Sequence, residues 1–251
     1  MLRRRVFIPL RMRPASIMPL NRREFLAASA ATAAWSASAP AIFGANKARQ
    51  YRTALIGTGW WGMNILREAV KAGRSKVVAL CDVDEGQLET SADELGGLTS
   101  DTPKLYRDYR ELFDREQVEI AIIATPDHWH ALNTLAALNA GAHVYVEKPT
   151  GHTIRESAAM VSAARQADRV VQVGMHRRIG PHHVSGMEFL RSGKVGKIGM
   201  VRMFVHGGGG SESPTPNSEP PKGLDWDFYC GPAPVRPFNR KIHPGGLRNY
   251  L

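Results

Sequence analysis

The sequence is poor in cysteine, with only Cys81 and Cys230 among its 251 residues. Two cysteines cannot build the disulfide framework of a small secreted domain, and their spacing matches no zinc motif. A Cys81–Cys230 disulfide is disfavoured, because Cys81 ends an apolar run and is expected to be a small buried side chain. The composition shows no low-complexity bias, and no apolar stretch is long enough to predict a transmembrane helix. These absences favour an ordinary globular protein.

Positive charge is unevenly distributed along the chain. The formal net charge of +10 alone would suit a nucleic-acid or membrane partner. However, residues 1–45 hold seven arginines and one glutamate, so most of the excess lies in this short segment. The remainder has no concentrated basic patch, and we predict no nucleic-acid partner.

The N-terminal segment has the pattern of an export signal. Arg22-Arg23 precedes Phe25-Leu26, an Ala-rich stretch and Ala39-Pro40-Ala41. The arginine pair resembles a twin-arginine signal, and the small residues resemble a cleavage site. We therefore predict a signal segment over residues 1–45, the twin-arginine machinery as a partner, and a periplasmic or secreted location. A basic amphipathic N-terminus on a cytoplasmic protein is the alternative, and Met18 is an alternative start.

Strand-like and helix-like segments alternate through the next part of the chain. Predicted strands lie at 52–56, 77–81, 120–125, 144–146 and 170–174; predicted helices lie at 60–72, 109–115, 130–140 and 153–167, with another opening at 84. This alternation predicts an α/β fold, a doubly wound parallel sheet of the Rossmann type, over residues 46–174. Beyond it, a helix at 182–192, a strand at 198–206 and an irregular loop indicate the start of an α+β substrate domain. This partial substrate and oligomerisation domain is assigned to residues 175–251.

A glycine-rich segment links the first predicted strand to the first predicted helix. It consists of Gly57, Thr58, Gly59, Trp60, Trp61 and Gly62. In this context the three glycines permit a tight turn, close approach of a pyrophosphate and close helix packing, so the whole segment is predicted to bind a dinucleotide. The helix N-terminus favours phosphate. We expect one of the two tryptophans to pack into the core and the other to cover the cofactor.

Asp82 lies 20 residues after Gly62, at the end of the second strand. A carboxylate there would accept hydrogen bonds from the adenosine ribose and repel a 2′-phosphate, so NAD is favoured over NADP. A glycine turn that binds nothing is the alternative, and it is disfavoured by this context.

Two further segments follow predicted strands and are expected to face the same crevice. Thr125 and Pro126 precede His130, and all three are predicted at the edge of the cofactor. A metal site at His128 and His130 is disfavoured, because the spacing is poor and no cysteine is near. Glu147 and Lys148 follow the next strand. A lysine there can exchange a proton with the oxygen of a carbonyl substrate, although a solvated loop lysine is the alternative.

Together these segments resemble the Gfo/Idh/MocA oxidoreductases, the family of glucose–fructose oxidoreductase and inositol dehydrogenase. The resemblance rests on Gly57–Gly62, Cys81-Asp82-Val83-Asp84, Ala124-Thr125-Pro126 with His130, Glu147-Lys148-Pro149 and Val173–Arg178. Leu224-Asp225-Trp226-Asp227 and Gly231-Pro232-Ala233-Pro234 are similar to exported members. The resemblance implies hydride transfer between nicotinamide and a sugar or polyol carbon. It also implies Lys148 as the proton donor, Glu147 positioning Lys148 or the nicotinamide ribose, Arg178 near the substrate, and a homo-oligomer at full length.

The sequence departs from the family in one respect. Members normally carry an Asp-x-x-x-His segment whose histidine acts with the lysine, and this sequence has none. We therefore expect a C-terminally truncated member whose activity is open. Two alternatives to the dehydrogenase remain: a glycosidase of the same fold that uses NAD transiently, and a non-catalytic NAD-binding fragment. Lys148 favours the dehydrogenase, since those glycosidases tend to lack this lysine.

Overall fold

The structure is a computed structural model that describes residues 49–204, 215–243 and 246. The predicted export signal therefore lies outside the described residues. Within the described part, no helix is both long and apolar enough to span a bilayer.

Six strands and seven helices carry the described fold. The strands are β1 (Tyr51–Ile56), β2 (Ser75–Cys81), β3 (Lys104–Tyr106), β4 (Ile120–Ile123), β5 (His143–Val146) and β6 (Val171–Val173). The α-helices are α1 (Trp60–Lys71), α2 (Glu85–Gly96), α3 (Tyr109–Arg115), α4 (His130–Asn139), α5 (Ile154–Ala167), α6 (Pro181–Arg191) and α7 (Trp226–Cys230). Short 3-10 turns occupy Asp127–Trp129 and His176–Ile179.

All six strands belong to one parallel sheet in the order β3-β2-β1-β4-β5-β6. The predicted doubly wound Rossmann sheet is confirmed. The chain reverses its direction of travel across the sheet between β1 and β4, and ligands of such sheets bind beside this switch point. The short edge strand β3 escaped prediction, because three residues carry too little periodic signal.

The central strands are buried on both faces, so alternate side chains enter two separate cores. Ala54 and Ile56 of β1 pack on one face with Ala121 and Ile123 of β4. Leu55, between them, packs on the other face in a cluster with Met63, Leu66 and Leu80. Burial on both faces explains the continuous apolar runs that predicted these strands.

The predicted helix starts are formed as expected, with one difference. Thr153 accepts from the Glu156 amide at 3.2 Å while Glu156 accepts from the Thr153 amide at 2.7 Å, a complete capping box. Asp84 caps α2 through the amides of Gly86 and Gln87. The Gln87 side chain does not complete a second box. Its amide donates to the Thr58 carbonyl at 2.9 Å instead, and so ties α2 to the glycine turn.

After the sheet, the predicted helix at 182–192 is present as α6. The predicted strand at 198–206 is wrong for residues 198–204, which form no strand and are exposed; residues 205 and 206 lie outside the described part. Alternating hydrophobicity favours a strand only where a neighbouring strand supplies hydrogen bonds, and the described residues offer none here.

Residues 215–243, which we call the cap segment, return to the carboxyl edge of the sheet. Leu224 forms an antiparallel bridge with Asp84, and the Asp225 amide donates to the Val83 carbonyl at 3.0 Å. A separate apolar cluster holds the segment together: Leu224, Trp226, Tyr229, Cys230, Phe238 and Ile242. Cys230 and Cys81 are both buried free thiols. The predicted domain division after residue 174 stays a prediction.

Candidate functional site

The glycine turn after β1 has the conformation that its sequence requires. Gly57 has φ +89°, and a Cβ there would lie 2.6 Å from the Thr125 amide nitrogen. A Cβ on Gly62 would lie 2.0 Å from the Gly57 carbonyl oxygen, so α1 packs directly on the turn. The space beside Gly59 is open. Two glycines therefore permit the tight packing, and the third leaves the backbone accessible to a ligand.

Asp82 braces this turn from the end of β2. Its Oδ2 accepts from the Thr58 amide at 2.7 Å and from the Thr58 hydroxyl at 3.2 Å, and its Oδ1 accepts from the Asp84 amide at 3.1 Å. Burial raises the pKa of the Asp82 carboxyl, while these donors act in the opposite direction. Asp82 also lines the cavity described below, so the residue that holds the turn borders the space for a ligand.

The loop after β4 brings Thr125, Pro126 and His130 to the same edge. His130 is buried, with Nε2 2.9 Å from the Thr125 carbonyl oxygen and Nδ1 against the Pro149 carbonyl. It thus links the β4 loop to the loop that carries Lys148. Asn133 is also buried beneath this loop, and its Oδ1 has no hydrogen-bond partner among the described residues.

Glu147 is held at a fixed position under the Lys148 loop. Its Oε1 accepts from the Tyr145 hydroxyl at 3.1 Å and its Oε2 from the Lys148 amide at 3.1 Å. Burial and the Glu147 charge raise the pKa of Tyr145 to about 12, so this hydroxyl remains a donor. A Cβ on Gly174 would lie 2.3 Å from Glu147 Oε1, which explains the glycine after β6. The Lys148 side chain is exposed.

The two tryptophans correct one expectation. Trp60 is 74% exposed and Trp61 is partly buried, so neither packs into the core. Both line the cavity, and the Trp61 ring lies 5.3 Å from the His176 ring. At the first turn of α1 these positions face away from the sheet, because the core side of the helix is formed by Met63 and Leu66.

Aromatic residues of the cap segment meet the β4 loop. The Trp129 indole donates to the Phe228 carbonyl at 3.0 Å, and its ring packs edge-on against the Phe228 ring at 5.1 Å. His128 Nε2 lies 2.8 Å from the Tyr229 carbonyl oxygen. Burial lowers the pKa of His128, which favours a neutral ring that donates from Nε2.

These elements surround one cavity of about 630 Å³ at the carboxyl ends of the strands. The sequence-predicted residues that line it are Gly57, Gly59, Trp60, Trp61, Gly62, Asp82, Thr125, Pro126, His130, Glu147 and Lys148. Its size suits an organic cofactor. The open space at Gly59 would let a phosphate approach the backbone. The unpaired Asn133 oxygen would accept a hydrogen bond from a ligand. The lining residues therefore fit a dinucleotide.

Two predicted residues do not line the cavity. Thr58 is fully buried; its amide donates to Asp82, and its carbonyl accepts from the Gln87 side chain. Arg178 is exposed on the 3-10 turn after β6, and its role toward the substrate stays a prediction.

Several lining residues were not predicted from the sequence: Gln87, Arg107, Tyr109, Trp129, Asn133, His176, Phe228, Tyr229 and His243. Trp129 and His176 lie within segments already singled out, between Thr125 and His130 and within Val173–Arg178, and could have been found there. The cap residues could not, since only tertiary packing brings them to the site. Within the described part, no cluster of three His, Cys, Asp or Glu side chains is arranged to hold a metal ion.

Residues 51–175 match the family described as GFO_IDH_MocA, "Oxidoreductase family, NAD-binding Rossmann fold". The chain is 37% identical over 143 residues to a glycosyl hydrolase family 109 protein of Stenotrophomonas maltophilia, covering 55% of this chain and 31% of that protein. It is 29% identical over 175 residues to inositol 2-dehydrogenase of Salmonella typhimurium, covering 69% of this chain and 50% of that enzyme.

Among solved structures, myo-inositol 2-dehydrogenase of Lactobacillus plantarum superimposes with a TM-score of 0.55 at 30% identity, covering 60% of this chain and 43% of that one. The chain thus spans half or less of the length of these relatives. The matched region coincides with the parallel sheet and holds the glycine turn, Asp82 and Lys148. Residues 51–175 therefore belong to the Gfo/Idh/MocA oxidoreductase family, as its NAD-binding Rossmann domain.

Proposed function

We propose that the protein is an NAD-dependent oxidoreductase that transfers a hydride between nicotinamide and a carbon of a sugar or polyol. The observation that carries the proposal is one cavity lined by both the glycine turn with Asp82 and the Lys148 loop. When bound, the nicotinamide cofactor supplies the hydride acceptor or donor. The glycine turn and the N-terminus of α1 would hold its phosphates.

Lys148 is proposed to hand a proton to, or take one from, the reacting oxygen. Glu147 fixes the backbone of this loop by accepting from the Lys148 amide, and His130 fixes it from the other side through Pro149. Both contacts hold the backbone and leave the Lys148 ammonium group exposed toward a substrate. Positioned proton transfer of this kind contributes about 10²- to 10⁴-fold to rate.

NAD is proposed over NADP because of charge at the ribose end. Asp82 and Asp84 both line the cavity there, and two carboxylates would repel a 2′-phosphate. A polyol or sugar substrate is proposed because two of the similar proteins are inositol dehydrogenases. The similarity to a glycosyl hydrolase family 109 protein favours a second candidate, a glycosidase that oxidises its substrate transiently.

The test combines cofactor binding with turnover. Calorimetry should detect NAD binding, and inositols or aldoses should produce the near-ultraviolet absorbance of NADH. Lys148→Ala should lower kcat about 10²-fold or more and leave the NAD Kd unchanged. Lys71→Ala, on an exposed lysine paired with Glu68, is the matched control. Unchanged turnover in Lys148→Ala would refute the role of this lysine.

The same assay separates the other functions. Release of an aryl leaving group from a glycoside without net NADH would favour the glycosidase. NAD binding without turnover of either substrate class would leave a non-catalytic binding protein, and no NAD binding would overturn the proposal.

We also propose export through the twin-arginine machinery to the periplasm or beyond, supported by Arg22-Arg23 and the Ala-rich stretch that follows. Residues 1–45 fused to a folded reporter should carry it across the inner membrane. An Arg22→Lys, Arg23→Lys double variant should retain it in the cytoplasm; export by that variant would contradict the assignment.

A further inference from the structure

We infer that the cap segment, residues 215–243, forms the adenosine wall of the cofactor site, through Phe228, Tyr229 and His243. The inference rests on the proposed NAD dependence and extends it. It assigns cofactor binding to residues outside the matched Rossmann region, which ends at residue 175. The ligand group concerned is a purine nucleoside diphosphate.

The position of the cap segment identifies the half of the cavity that it covers. Its backbone pairs with the loop that follows β2, where Leu224 bridges Asp84 and the Asp225 amide donates to the Val83 carbonyl. The Glu85 amide donates to the Gly223 carbonyl at 3.2 Å. Lys148 lies beyond β5, three strands away in the order β2-β1-β4-β5, which corresponds to about 14 Å. The cap segment is therefore anchored at the Asp82 end, and Phe228 reaches from there to Trp129 of the β4 loop.

The side chains that the cap segment presents there suit a purine. Phe228 and Tyr229 line the cavity together with Tyr109 and Trp129, so four aromatic residues border it. Aromatic surfaces bind nucleic-acid bases by stacking and apolar contact, largely independent of base identity. His243 also lines the cavity, with Nε2 3.8 Å from Asp84 Oδ2. It therefore lies beside the carboxylates expected to face the ribose.

The aromatic side chains of the wall are packed against neighbouring rings. The Tyr229 ring stacks on Trp226 at 5.0 Å and meets the His243 ring edge-on at 5.0 Å. The Phe228 ring stacks on Tyr109 at 6.2 Å and packs edge-on against Trp129 at 5.1 Å, and the Arg110 guanidinium lies 5.2 Å from its centroid. Rings held by other rings lose little freedom when a ligand arrives, so such a wall favours tight retention.

The test compares NAD with ADP-ribose, which shares the adenosine half but lacks nicotinamide. Calorimetry should give Phe228→Leu and His243→Ala a Kd about tenfold weaker for both ligands, by the same factor. Phe238→Leu is the matched control, because Phe238 is buried in the same cap cluster but does not line the cavity. It should lower the melting temperature and leave both Kd values unchanged.

The outcomes separate this inference from the proposed function. Wild-type affinities in both cap variants, while the wild-type protein binds NAD, would overturn the cap assignment alone. Weaker binding of NAD with unchanged binding of ADP-ribose would overturn it as well, because the variants would then act on the nicotinamide half. Absence of binding of either ligand to the wild-type protein would overturn the proposed function too. If Phe228→Leu fails to fold, His243→Ala gives the same readout.

Discussion

At the scale of single residues, Asp82 shows how one side chain joins stability to ligand binding. Both of its oxygens accept from backbone amides, at Thr58 and Asp84. An asparagine would have to turn its NH₂ group toward one of these N–H donors. We predict that Asp82→Asn lowers the free energy of unfolding by about 1–3 kcal/mol and weakens NAD binding about tenfold or more.

The Asp82→Asn comparison also tests cofactor choice. Removing this charge should weaken NADP binding less than NAD binding, so the ratio of the two affinities is the informative measurement. Asp114→Asn, on an exposed residue outside the cavity, should change neither. A variant that binds NAD as tightly as the wild-type protein would contradict the role of Asp82.

At the scale of elements, the cap segment depends on one turn. Gly231 ends α7 with φ +51° and ψ −120°, and a Cβ there would lie 2.1 Å from the Trp129 ring. We predict that Gly231→Ala destabilises the protein by about 2–4 kcal/mol, because it adds backbone strain to a steric clash. Thermal unfolding measures this, and the ADP-ribose Kd should rise with it.

The control for Gly231→Ala is a glycine within a helix where an added Cβ meets no neighbouring atom. Gly186 lies within α6, and nothing approaches the position of its Cβ within 4 Å. Gly186→Ala should leave stability unchanged or raise it by about 1 kcal/mol. Equal effects of the two substitutions would show that the contact with Trp129 has no special importance.

Elements were predictable from the sequence where local signals agree with the tertiary fold. The strands predicted at 52–56 and 120–125 are observed as Tyr51–Ile56 and Ile120–Ile123, because each carries a buried apolar run. Thr153 with Glu156 marks a helix start in the same local way. The prediction of a strand at 198–206 was wrong for the described residues 198–204, because alternating hydrophobicity does not specify a partner strand. The short helix Trp226–Cys230 was not predicted, because five residues are too few to show a helical period.

At the scale of the whole molecule, the site divides into a predictable and an unpredictable half. The glycine turn, Asp82 and Lys148 each follow a strand, so the parallel topology alone brings them to one edge. Phe228 and His243 reach that edge only because the chain returns to the loop after β2, through contacts between residues more than a hundred positions apart. Helical and strand periodicity depend on residues close together in the sequence, so they cannot predict a contact of this long range.

The stability of the fold should depend on pH through Glu116, which joins the edge strand β3 to Arg52 of the central strand β1. Its carboxylate is 7% exposed and accepts from Lys104 at 2.8 Å, Tyr106 at 3.0 Å and Arg52 at 3.0 Å. The Lys104 hydrogen bond lowers the pKa of Glu116 below its usual 4.5, against the effect of burial. A lowered folded pKa means that ionisation stabilises the fold above about pH 4.5, and that this stability is lost as the pH falls further.

We therefore predict that Glu116→Gln lowers the free energy of unfolding by about 1–3 kcal/mol at pH 7, and by much less at pH 3, where the wild-type carboxyl is becoming protonated. Urea unfolding of both proteins from pH 3 to pH 7 measures the difference in the free energy of unfolding. The contributions of the other carboxyl groups cancel in this difference, because both proteins carry them. Glu111→Gln is the control: its pair with Arg115 is exposed, so it should cost less than about 0.5 kcal/mol at any pH. A constant difference between wild type and Glu116→Gln from pH 3 to pH 7 would mean that Glu116 stabilises the sheet edge by packing, and that its charge contributes nothing.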